Sequence, residues 1–415
     1  MSRRPSALVI GGLVAAGLGV SVLALADGFD PRAPKSVVVG SPGGPSPVGR
    51  VGPRRNGKSP NSLPKRRIHV AWKKATGAPV EGPVLVEDGR VVVVGARGDV
   101  VTLGPDGDER TRAATGVSAP GPAALLADGT TVFVSAAGEV VGAQGKSKRF
   151  GVRLGPSGAG KVSPLPLADG GFVAAAGADL ALFDADGGIR ARAQAPEPLV
   201  GALLSHGGRV VGAGRSGAVL AWAPGGEVVR VGSFRAPIDG PMALDDGGRL
   251  VAVTDQNQIT EVELGRSAVS TRASAAPGSL YLGPVALGPT GTALLGSTFG
   301  VSYLVLLDRS STETRIAIGT APPTTPTLLP DGGAPPVVIP PHAGVLIDAQ
   351  GTVAFVTPEG VVGVASRDSG VSTLGESACA RGGARVASHP GLSPAEAGAF
   401  YVACESGTVV KVAGE

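Results

Sequence analysis

Residues 88–107 read DGRVVVVGARGDVVTLGPDG. Two short apolar runs joined by a Gly-containing turn, with Asp-Gly at either end, describe an antiparallel hairpin whose turns need positive φ or an Asp side chain to fold back on the chain. The unit recurs as DGTTVFVSAAGEVVGAQG from Asp128, DGGFVAAAGADLALFDADG from Asp169 and GGRVVGAGRSGAVLAWAPGG from Gly207. Further copies start at Asp246, Thr290, Gln350 and Gly398, so eight hairpins are countable.

The first strand residues of the eight hairpins are Arg90, Thr130, Gly171, Arg209, Arg249, Thr292, Thr352 and Ala399. Most steps between them are close to forty residues, the size of a four-stranded β-propeller blade. Each hairpin follows a small-residue and Pro stretch such as GPVLVEDG from Gly82, and precedes a polar one such as DERTRAAT from Asp108. The reading is an inner strand, two middle strands and a solvated outer strand. The expected fold is therefore all-β: an eight-bladed β-propeller of four-stranded antiparallel blades over residues 68–415. The longest step holds the Pro-rich region 321–349, read as a decorated loop. One helix signal, Ser393-Pro394-Ala395-Glu396, predicts a single turn in the last blade.

The ends of the repeat region complement each other. The last unit stops after Thr408 to Val412, leaving no outer strand, while Arg67 to Lys74 carries an outer-strand pattern and belongs to no blade. Pairing the two closes the ring, with Ile68, Val70 and Trp72 set against Val409, Val410 and Val412.

Ahead of the repeats, Arg3 and Arg4 precede an uncharged apolar run from Ala7 to Ala26 that ends in Ala24-Leu25-Ala26. Such a pattern is a secretory signal, cleaved between Ala26 and Asp27 with Ala24 and Ala26 in the small-residue positions, or an uncleaved anchor spanning residues 7–26. Either orients the body outside the cytoplasm, periplasmic or at the cell surface. Residues 27–67 are Pro- and Gly-rich with nine bases against two acids, and read as a disordered basic linker. The overall charge of +4 resides in this tail, so the propeller itself is mildly acidic and no nucleic-acid partner is expected. In an exported chain with only two cysteines, Cys379 and Cys404 are expected to form a disulfide in the last repeat.

Val70-Ala71-Trp72 with Thr76-Gly77, Ala181 to Gly187 ending in Asp-Ala-Asp-Gly, and Leu306-Leu307-Asp308 resemble the pyrroloquinoline-quinone-like repeat. The resemblance implies an eight-bladed propeller that is either a quinone-dependent dehydrogenase or a scaffold, such as the propeller lipoprotein of the outer-membrane β-barrel assembly machinery. The dehydrogenases of that family need a Trp floor, a Ca²⁺ site and often adjacent cysteines. Here there are two Trp, Trp72 and Trp222, and no vicinal Cys pair. Gly155 to Lys161 nearly spells a P-loop, but Val162 stands where Ser or Thr is needed and Ser163-Pro164 follows where a helix must start. Asp184-Ala185-Asp186-Gly187 lacks a distal Glu and reads as a turn rather than a Ca²⁺ loop. His69, His206, His342 and His389 fall in separate repeats without paired carboxylates. The sequence leans away from an enzyme. It points to a monomeric, cofactor-free binding propeller with an envelope protein as partner; an axial enzyme site is the alternative.

Overall fold

The computed structural model describes residues 54–415, except 81, 88, 120, 158–161, 239, 267, 300, 321–343, 359, 376–377 and 380–390. The expected cleavage residues Ala24, Ala26 and Asp27, the span 7–26, most of the Pro-rich region, His342 and His389 lie outside them. The described residues form eight four-stranded sheets, antiparallel throughout and arranged as an eight-bladed propeller. Blade one consists of Leu85–Glu87, Arg90–Val94, Asp99–Leu103 and Glu109–Ala114, from axis to rim.

Side chains alternate between two faces of each blade, and each face packs against a different neighbour. Val91 and Val93 of blade one join Tyr401 and Val409 of blade eight, while Val92 joins Leu125 and Phe133 of blade two. The same division repeats at every junction and gives eight interblade cores. A one-residue slip in any middle strand would exchange its two packing partners, so valine-rich runs fix the register despite having no polar face.

The recurring Asp at the turns has a direct role. Asp128 accepts the Thr130 amide at 2.8 Å, Asp169 the Gly171 amide at 3.0 Å, and Asp348 the amides of Gln350 and Thr352, both at 2.9 Å. Outer-strand arginines reach back to the same carboxylates, as Arg190 does to Asp169 at 2.7 Å and Arg149 to Asp128. Partial burial opposes ionisation of Asp128, but the Thr130 amide and hydroxyl and the Arg149 guanidinium together hold it below the usual carboxylate range. Asp169 is likewise lowered, by Arg190 and the Gly171 amide acting against burial. A carboxylate whose folded pKa is depressed stabilises the fold above its unfolded value, and that stability is lost as pH falls through the folded one. The melting temperature is expected to stay level from about pH 7 to about pH 5 and to drop below about pH 4. A melting temperature that does not change across that range would show that these pairings contribute nothing in solution.

The expected helical turn at Ser393 is not formed. Leu392–Pro394 is the inner strand of blade eight, and the Ser393 hydroxyl donates to Val84 O at 2.6 Å instead of capping a helix. Pro394 is tolerated because an inner strand has one edge turned to the axis, where no ladder amide is required. Residues 321–343, which lie outside the described residues, follow Glu313–Thr320, the outer strand of blade six, and precede Gly344–Ile347, the inner strand of blade seven.

His69–Ala75 closes the ring as the outer strand of blade eight, in register from His69 with Ala413 to Ala75 with Thr408, with a bulge between Val70 and Trp72. The Trp72 indole donates to Pro105 O of blade one at 2.8 Å and its ring lies 5.7 Å from that of Tyr401. Ile68, Val410 and Val412 enter the core between blades seven and eight, and Val409 the core between blades eight and one.

Candidate functional site

In a four-stranded antiparallel blade the first and third turns fall on one face of the ring and the middle turn on the other. The first face carries a feature that composition concealed. Residues 54–64, expected within a solvated linker, are a strap laid across the ends of the inner strands. Leu244 of blade five donates its amide to Arg54 O at 3.0 Å, and Leu287 of blade six to Asn56 O at 2.7 Å. Ile347 of blade seven donates to Gly57 O at 2.9 Å and accepts from the Ser59 amide at 2.7 Å. The Asn61 side chain then reaches Ala395 O of blade eight at 2.6 Å. Gly57 sits at φ +69°, and a Cβ there would lie 2.9 Å from that of Ala286, so only glycine allows this approach. Inner strands present main-chain groups to the axis, and the strap gives those at the mouth their partners.

Arg55 is the part of the strap aimed deepest. It is 2% exposed, with Nε donating to Leu203 O at 3.0 Å and Nη2 to Pro164 O at 2.7 Å. Burial lowers its pKa to about 9, which leaves it protonated at neutral pH. A buried cation is tolerated where its donors are satisfied, and here main-chain carbonyls of blades three and four do so. The axial mouth on this face is thus occupied by a guanidinium from the chain's own N-terminal segment.

His206 lies at the end of the blade-four inner strand, Leu199–His206, its pKa lowered first by burial and then by Arg54, with Asp245 opposing. No hydrogen bond links its ring to a nucleophile among the described residues. His69 begins the closing strand. Asp184 accepts the Asp186 and Gly188 amides at 3.0 and 2.7 Å, so its carboxylate completes a turn. Residues 158–161 of the P-loop-like stretch lie outside the described residues, and among the described ones no His, Cys, Asp or Glu cluster could hold a metal. No described helix is long and apolar enough to cross a membrane.

On the opposite face, blade six projects beyond its neighbours. Its inner strand spans Ser279–Leu287, and Gly291–Thr298 and Val301–Asp308 form a hairpin tipped by Phe299, which is 85% exposed. Phe299 has φ 46°, and its ring occupies the space above Gly278 where a Cβ would meet it at 2.7 Å. A bulky residue in this backbone region is held at some cost, which makes its display on the surface notable. On the same face, at the seam of blades seven and eight, Cys379 and Cys404 are joined by a disulfide with Cα atoms 5.4 Å apart, both residues buried.

No protein-family model matches the chain, and no curated protein matches it. Solved structures do. The crystal structure of BamB from Moraxella catarrhalis aligns with a TM-score of 0.55 at 13% identity, covering 84% of this chain and 98% of that one. Quinohemoprotein alcohol dehydrogenase ADHIIG from Pseudomonas putida HK5 aligns at 0.61 and 10% identity, covering 95% and 81%. The quinohemoprotein alcohol dehydrogenase of Comamonas testosteroni aligns at 0.57 and 10%, covering 96% and 85%. At these identities the likeness is one of architecture: the chain has an eight-bladed β-propeller fold in common with these proteins.

Proposed function

We propose that the protein is an extracytoplasmic interaction propeller that binds an envelope protein through the face bearing the blade-six hairpin, without a cofactor. The observation that carries this reading is Phe299, an aromatic side chain displayed at 85% exposure on the tip of the most extended hairpin. Aromatic anchors dominate the energetics of protein interfaces, and an isolated one displayed at a hairpin tip fits a pocket on a partner. The fold is shared with both scaffolds and quinone enzymes, so it does not choose between them. The strap does bear on the choice, because it fills one axial mouth with Arg55 where an axial reaction would need access. The N-terminal apolar run, with two arginines ahead of it, supports export or anchoring outside the cytoplasm.

Crosslinking in the native envelope, followed by mass spectrometry, tests the reading. Phe299→Asp is expected to abolish the dominant crosslinked partner while leaving the melting temperature within about 2 °C of the parent, since the ring is mostly in solvent. An unchanged crosslinking pattern, or recovery of a bound quinone with stoichiometric Ca²⁺, would overturn it.

A further inference from the structure

Away from the axis, on the strap-bearing face, a cleft of about 380 Å³ opens between blades five and six. Three separate stretches build it: the strap at Asn56 and Lys58, the first turn of blade five from Asp245 to Arg249, and the turns of blade six that carry Gly288 and Arg309. At its base Arg272 and Glu261 form an ion pair at 3.1 Å, with side chains only 10% and 12% exposed. Arg272 is further fixed by Thr292 Oγ1 at 3.0 Å and Ser311 Oγ at 3.3 Å. Buried pairs of this kind add little net stability, and their best-attested value is in fixing an arrangement.

The charges in the cleft do not cancel. Glu261 is paired with Arg272, Asp245 with Arg249 at 2.7 Å, and Asp246 with Arg54. Every carboxylate lining the cleft therefore has its cation. Lys58 and Arg309 have no acidic partner within ion-pair distance among the described residues. The Arg309 guanidinium donates once, to Pro289 O at 2.9 Å, which ties it to the rim and leaves most of its donors for a ligand. The Lys58 amide is held by Asn56 Oδ1 at 3.0 Å, which fixes the strap at this point. Two uncompensated positive charges lining one concave site concentrate anions there.

We propose that this cleft binds the oxyanion of a small ligand, a carboxylate or a phosphate, between Lys58 of the strap and Arg309 of blade six. The volume is near the lower end for small-molecule sites, enough for a group of monosaccharide or dipeptide size. The bound ligand bridges strap and blade, so it also holds the strap down. The site does not depend on the Phe299 face and stands or falls separately from it.

Titration calorimetry of the full-length protein with inorganic phosphate, and separately with succinate, tests the assignment at low salt and again at about 0.15 M. Saturable binding of at least one probe is expected, weakened at least about tenfold by Lys58→Met and by Arg309→Met. Arg97→Met removes an exposed charge from the opposite face and is expected to leave binding unchanged. Phosphate alone would identify a phosphorylated ligand, succinate alone a carboxylic acid, and both an oxyanion site without preference; each supports the proposal. Failure of both probes to bind at about 10 mM would overturn it. So would binding that survives both substitutions, or one that Arg97→Met weakens equally. Melting curves of the variants exclude misfolding as the cause of a loss.

Discussion

A chain that begins at Gly77 is expected to unfold without cooperativity or to aggregate, while one beginning at Arg54 melts as the complete propeller does. The shorter chain lacks His69–Ala75, which leaves the edge of Thr408–Ala413 unpaired. Val410 and Val412, both fully buried, would lose the cover of Ile68, Val70 and Leu63. Tyr401 would lose the Trp72 ring. Burial of each such side chain contributes about 1.5–3 kcal/mol, so the sum rivals the whole stability of a typical domain, about 5–15 kcal/mol. A free apolar edge strand is also a template for association. A chain beginning at Lys65 retains the closing strand but not the strap, and its melting temperature is expected to fall between the other two. Equal melting temperatures for chains starting at Arg54 and Gly77 would refute closure by this strand.

Replacing Cys404 by alanine, or reducing the protein, is expected to lower stability by about 3.5 kcal/mol, the loop-entropy value for a crosslink spanning 25 residues. The bond lies in the core shared by blades seven and eight, beside the closing strand, and the Lys73 ammonium donates to Ala378 O at 3.0 Å next to it. Loss of the crosslink therefore acts on the same seam as loss of the strand. The denaturant midpoint of oxidised and reduced protein measures the difference. Two thiols labelled in unfolded, unreduced protein would end the idea.

The propeller was legible because its signals are local. An Asp or Gly turn, an alternating run and a second turn define a hairpin within twenty residues, and the Asp128 and Asp169 carboxylates show why those residues recur. Closure was legible from what each end lacked. The strap was not. Residues 54–64 have no period, because their main-chain groups bond to four blades far away in sequence, and a stretch of Arg, Asn, Gly, Lys and Pro looks the same whether it is solvated or paired. Its buried side chains, Arg55, Ser59, Leu63 and Pro64, are of four different kinds and make no apolar pattern. The capping box at Ser393 misled for a related reason: its hydroxyl found Val84 O, 309 residues away, before any local amide. The cleft between blades five and six draws single charges from separate turns, so no spacing in the sequence could announce it. Phe299 reads in the sequence as one more apolar strand residue, and only the hairpin geometry places it at a tip.

The two ends of the closing seam, Arg67 and Glu415, touch across a separation of 348 residues. The ribosome makes the closing strand before any blade, and its partner after every other described strand. Until Thr408–Ala413 is available, His69–Ala75 has nowhere to pair, and the seven blades between them stand as an open arc with an uncovered edge at each end. Contacts at such sequence distance form late and slowly. A polypeptide that stops short of Thr408 never reaches that step, and its exposed strand edges leave it prone to associate with other chains. The ring therefore seals only around a product that carries both ends of its own seam.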